Sequence, residues 1–131
     1  MHEITLGSNL ADHWDKLRQE EEMRRVSVYI TKAFIKREKR SLNDTRTDGT
    51  KFFLHENAIA WHEPDGFVAL TLAGWPTVTT RDRLNTICDI MFGCRPFHQK
   101  KHVQYYNDQI ISSDTVIRLK KLELLDEVTD G

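Results

Sequence analysis

The chain has 131 residues, with 19 Lys and Arg against 20 Asp and Glu, 39% hydrophobic residues and two Cys. That length supplies one core without a staple of disulfides or metal, and two Cys exclude a disulfide scaffold and point to thiols kept reduced in a cytoplasm. The longest apolar runs, such as Phe67-Val68-Ala69-Leu70, fall far short of the ~18 residues of a membrane span, and Met1-His2-Glu3-Ile4 carries no signal-peptide pattern.

The near-neutral total conceals a local dipole. Residues 1–23 sum to −4, residues 24–40 to +6 and the remainder to −3. In chain order, Ser8 and Asn9 offer a helix cap before Leu10, Trp14 and Leu17. Val26, Tyr29, Ile30, Ala33 and Phe34 continue at helical spacing, although the β-branched residues there would also suit a strand. The expected helical arm covers residues 1–42. The polar run 41–50 reads as a loop.

An α+β domain is expected over residues 43–122. Strands at 51–54, 58–61 and 67–72 form a meander, with turns at Glu56-Asn57 and Pro64-Asp65-Gly66. Thr79 and Asp82 read as a capping box for a helix carrying Leu84, Ile87, Cys88 and Met91, which Gly93 stops. Strands follow at 96–99, 103–106, 109–111 and 115–119, and an acidic tail at 123–131. The expected core is Trp61, Phe67, Leu70, Leu72, Leu84, Ile87, Met91, Val103 and Ile117, with the helix covering one sheet face.

Leu54-His55-Glu56-Asn57, Gly74-Trp75-Pro76-Thr77-Val78-Thr79-Thr80-Arg81-Asp82-Arg83-Leu84-Asn85 and His98-Gln99-Lys100-Lys101 resemble segments of a group of small accessory proteins of tailed bacteriophages. The resemblance spans about residues 43–107. It implies a phage origin and a shared fold, and no activity. The chain departs from the group at Glu56, where Gly stands, a substitution that bears on any turn needing positive φ there.

Four groups of residues carry chemistry. A helix N-terminus is an anion site when cations flank it, so Thr79, Thr80, Arg81 and Arg83 read as a phosphate or carboxylate cradle, against pairing of Arg83 with a nearby acid. At about 100° per residue, Arg25, Lys32, Lys36 and Lys39 fall within an arc of about 60°, a positive stripe for phosphates or an acidic protein, against a solvated face in which Arg24 pairs Glu20. Lys100 and Lys101 interleave with Phe97, Tyr105 and Tyr106 as in single-strand binders, and strand alternation leaves at most one of the two tyrosines for stacking. Cys88, Cys94, His98 and His102 match no common zinc spacing, so neither a metal nor any other cofactor is expected. His55 and His62, with Glu56 and Glu63, flank a hairpin without a catalytic motif.

The expectation is therefore a non-enzymatic, cytoplasmic phage accessory protein that binds nucleic acid or a host complex containing it. The alternatives are an inhibitor or adaptor of a host enzyme, and a homodimer formed through Trp14, Leu17, Val26, Ile30 and Phe34. No membrane contact is expected.

Overall fold

In a computed structural model the described residues are 2–121, with side chains described from Leu10 onward. The acidic tail expected at 123–131 lies outside them. The architecture is the expected α+β class, about two-fifths helix and one-third strand.

Helix α1 (His2–Ile35) is continuous over 34 residues, roughly 51 Å at 1.5 Å per residue. It starts before Ser8 and Asn9, so these do not cap it. Strands β1 (Lys39–Leu42), β2 (Thr45–Asp48), β3 (Lys51–Leu54), β4 (Asn57–His62) and β5 (Phe67–Thr71) follow as an antiparallel meander. Helix α2 (Val78–Phe92) comes next, then a separate three-stranded sheet of β6 (Phe97–Lys100), β7 (Val103–Tyr106) and β8 (Gln109–Ile111). Strand β9 (Val116–Lys120) returns to pair with β5, giving a six-stranded sheet in the order β1-β2-β3-β4-β5-β9.

Three features differ from the sequence reading. The segment 41–50 contributes to two strands, because Thr45 and Thr47 alternate inward as buried β-branched residues that do not register as apolar. A domain boundary at 42/43 therefore falls within the β1–β2 hairpin. The helical face expected at Val26, Tyr29, Ile30, Ala33 and Phe34 packs on the domain, a point the sequence left open: Val26, Ile30, Ala33 and Phe34 are buried with Phe52, Leu54, Ile59, Val68, Leu70, Leu72, Leu84, Ile87, Cys88 and Phe97, while Tyr29 stays exposed. Three residues of the proposed dimer face, Val26, Ile30 and Phe34, are thus consumed within the monomer. Of the expected core, Met91 and Ile117 pack at its margin, Trp61 and Phe67 are half-buried, and Val103 is exposed.

Helix α2 is capped by Thr77, whose Oγ1 accepts the Thr80 N–H at 3.1 Å, and not by Thr79. Pro76 precedes the cap and Thr77 is extended, which sets the chain entry two residues earlier than the capping-box reading. Asp82 cannot reach back to the cap because it is buried against α1. Gly93, at φ +76°, stops the helix as expected, its N–H bonded to the Asp89 carbonyl.

Candidate nucleic-acid interface

The first turns of α2 send two arginines in different directions. Arg83 is buried, and it donates to the Met23 carbonyl (2.7 Å), Ser27 Oγ (2.8 Å) and Thr45 Oγ1 (3.2 Å). Ser27 in turn donates to Asp82 at 2.6 Å, and Asp82 also accepts from Arg24 at 2.8 Å and Arg95 at 3.4 Å. Burial pushes the Arg83 pKa down while Asp44 and Asp82 pull it back, and a guanidinium stays charged throughout. This network clamps α1 to α2 and β2. Arg83 is therefore unavailable to a ligand, and Arg24 pairs with Asp82 instead of Glu20.

Arg81 points the other way. Its Nη1 donates to the Pro76 carbonyl (3.0 Å), Gln104 Oε1 (3.1 Å) and Gln99 Oε1 (3.3 Å), tying the start of α2 to β6 and β7. Thr80 is buried, with its hydroxyl against that of Thr77 at 2.9 Å, whereas Thr79 is half-buried. The four residues Thr79, Thr80, Arg81 and Arg83 form no common cradle.

The arm stripe is also divided. Arg25 forks onto Glu22, 2.9 Å from Oε1. Lys32 is exposed on α1, Lys36 lies beyond the helix end at Ile35, and Lys39 starts β1. Lys32, Lys36, Arg37 and Lys39 make no ion pair among the described residues, while Arg40 sits 4.6 Å over the Tyr29 ring. What survives is a basic surface shared by a helix end, a turn and an edge strand.

The three-stranded sheet gathers a more particular set. Cross-strand partners share a face, so the register His98–Tyr105–Ile110 and Lys100–Val103 places these five side chains together. Phe97, Gln104, Tyr106 and Ile111 occupy the opposite face and pack inward, with Tyr106 edge-on to Phe97 at 5.3 Å. Alternation thus separates Tyr105 from Tyr106 as the sequence implies. On the outer face the His98 and Tyr105 rings stack at 5.1 Å with 8° between planes. His98 Nε2–H donates to the Asn107 carbonyl, which fixes the ring. Lys100 shares this face and Lys101 lies in the turn that follows it, both exposed and without ion pairs among the described residues. Ile110 is 71% exposed. Residues 95–111 hold Arg95, Lys100 and Lys101 against Asp108 alone.

The cysteine and histidine positions do not converge. Cys88 lies in the core, where burial pushes its thiol up to about 12, and Cys94 is exposed. No three metal-ligating side chains meet among the described residues. His62 stacks on Phe34 inside α1, away from His55, which pairs with Asp44 at 3.1 Å. No helix among the described residues is long and apolar enough to cross a membrane.

A second concavity was not read from residue types. A cavity of about 430 Å³ is lined by Leu54, His55, Asn57 and Ile59 from the β3–β4 hairpin, and by Trp75, Thr77, Thr79 and Thr80 from the entry to α2. Two of the segments that carry the phage resemblance meet there, and Trp75 belongs to one of them.

Fold and surfaces together define a small α+β protein with an outward aromatic and basic sheet face. The chain belongs to the family described as Kyanoviridae Gp96 protein, whose model matches residues 23–120, and it is a bacteriophage accessory protein. No curated protein and no solved structure matches it.

Proposed function

We propose that this phage protein is non-enzymatic and binds single-stranded nucleic acid through the outer face of β6, β7 and β8. The observation that carries the reading is the stack of exposed His98 on half-buried Tyr105, with Lys100 on the same face and Lys101 in the turn that follows. Single-strand binders pair aromatic platforms, on which bases stack without sequence demand, with cations that follow the backbone. The surface of Lys32, Lys36, Arg37 and Lys39 adds long-range attraction for a polyanion.

Anisotropy of a labelled oligothymidine tests this. Affinity should fall roughly tenfold to a hundredfold between about 50 and 200 mM salt for a handful of phosphate contacts. Tyr105→Ala should weaken binding by roughly 5- to 100-fold, the range of one stacked base. Lys100→Glu with Lys101→Glu should weaken binding and flatten the salt slope. Salt-independent binding, or an unaffected Tyr105→Ala variant, rejects the interface.

A second reading, docking on a host protein, draws on Val103 and Ile110, both exposed on the same face. Capture of a partner from nuclease-treated lysate that is lost with Ile110→Asp but kept with Tyr105→Ala would favour it.

A further inference from the structure

The cavity between the β3–β4 hairpin and the entry to α2 is a concavity that the proposed function leaves unused. Its floor is Leu54 and Ile59, both buried, and its rim is Trp75, His55, Asn57 and Thr79. A volume of about 430 Å³ lies within the ~300–1,000 Å³ of small-molecule sites.

Trp75 is 59% exposed, yet its backbone is fixed. Gly74 N–H donates to the Ser113 carbonyl (2.8 Å), Trp75 N–H to Leu72 (2.9 Å) and Thr77 N–H to the Trp75 carbonyl itself (2.8 Å). Arg81 also holds the Pro76 carbonyl. The loop spends left-handed backbone to present the ring, with Ala73 at φ +55° and Gly74 at +82°. An exposed indole on a fixed backbone beside an apolar floor offers a stacking surface, and a backbone set before any ligand arrives lowers the cost of binding.

The rim sets the chemistry. The Thr79 hydroxyl and the Trp75 indole N–H make no hydrogen bond among the described residues, and Asn57 uses only its amide NH2, on the His55 carbonyl, leaving its oxygen to accept. The rim thus offers both donors and acceptors beside an apolar floor. A flat heterocycle with both kinds of group along its edge fits this pattern. A phenyl ring, lacking that edge, would leave the rim unanswered.

We propose that this cavity binds a nucleobase, stacked on Trp75 and read at its edge by Asn57 and Thr79. The site is separate from the sheet face and goes beyond the binding proposed there. The base arrives either as a free nucleoside or as one residue of a strand.

The test is a titration of the full chain, followed by the Trp75 indole resonance, with adenosine, thymidine, N-acetyl-phenylalanine amide and a ten-residue oligothymidine. Saturable shifts with at least one nucleoside are expected, with dissociation constants of roughly 0.1–1 mM, as ligand efficiency allows for so small a molecule. Trp75→Ala, at an exposed position, should fold normally and lose the response at the Thr79 amide, while Thr79→Val should weaken it severalfold. Oligothymidine binding more than tenfold tighter than thymidine at the same resonances assigns the base to a strand, and comparable affinity assigns it to a free nucleoside. No saturation by either nucleoside up to about 10 mM, an equal response to the phenylalanine amide, or an undiminished response in Trp75→Ala overturns the proposal. Oligothymidine binding that depends on Tyr105 while the Trp75 resonance stays still would retire this site and leave the sheet-face reading standing.

Discussion

His62 carries the clearest pH signature. Its ring stacks on Phe34 at 4.2 Å and its Nε2–H donates to the Phe34 carbonyl at 2.8 Å. Burial pushes its pKa below the ordinary 6.5, and Arg37 and Lys121 push the same way against the carbonyl contact. The unfolded chain therefore takes up this proton at higher pH than the folded one. Stability from His62 is whole above about pH 7 and declines as pH falls toward 5. Asp48, Glu56 and Glu63 are held below their ordinary values by the Lys51 N–H, Arg46 and Arg118 respectively, and their contributions are lost only at lower pH. The urea midpoint should be lower at pH 5 than at pH 7.5, and His62→Gln should narrow that difference. An unchanged difference in His62→Gln would remove His62 as its source. The sequence placed His62 in a polar cluster at a hairpin end, because nothing local indicates that its partner is a carbonyl 28 residues upstream. Arg83 was misread for the same reason: a charge near a helix start suggests a ligand, while the groups that satisfy it come from Met23, Ser27 and Thr45.

At the scale of elements, strands with apolar alternation were readable, as were the α2 stripe and its Gly93 stop. The β1–β2 hairpin was not, since its inward residues are threonines and its ladder is polar outside. Its attachment depends on Gly49, at φ +96°, where an added Cβ would lie 2.7 Å from the Arg37 carbonyl oxygen. The β2–β3 turn thus packs directly on the link between α1 and β1, and a methyl group cannot fit without moving backbone. Gly49→Ala should destabilise the fold by about 1–3 kcal/mol, the usual range for forced backbone strain. Chemical denaturation checks this, and a midpoint equal to wild type would mean that the turn is free to shift. The β3–β4 turn shows the opposite solution. His55 and Glu56 both take positive φ, at 51° and 65°, so Glu56 adopts the conformation that Gly would favour. Arg46 meets both carboxylate oxygens of Glu56 at 3.0 Å, which holds the side chain over the turn.

Across the whole molecule, a charge dipole that looked like a property of one arm is divided by the fold. Residues 24–40 run from the buried half of α1 through a turn onto the edge strand β1, so their cations spread over a surface where a helical stripe was expected. Basic residues on an edge strand also discourage pairing with another sheet, a role that needs no ligand. The acidic segment before them lies on the other half of α1, where Leu10 is 57% and Trp14 60% exposed. Burial in the domain begins at Val26, the clamp to α2 uses Met23, Arg24 and Ser27, and the family match begins at residue 23. All three boundaries fall between residues 23 and 26. A chain starting at Met23 loses the exposed Leu10 and Trp14 and the Arg18–Asp15 and Arg25–Glu22 pairs, exposed contacts each worth at most about 1 kcal/mol. Its melting temperature should fall by no more than about 5 °C, and its oligothymidine affinity should change less than about threefold. A collapse of the fold on this truncation would show that the part of α1 before Met23 is covered in solution by a surface that the monomer does not supply.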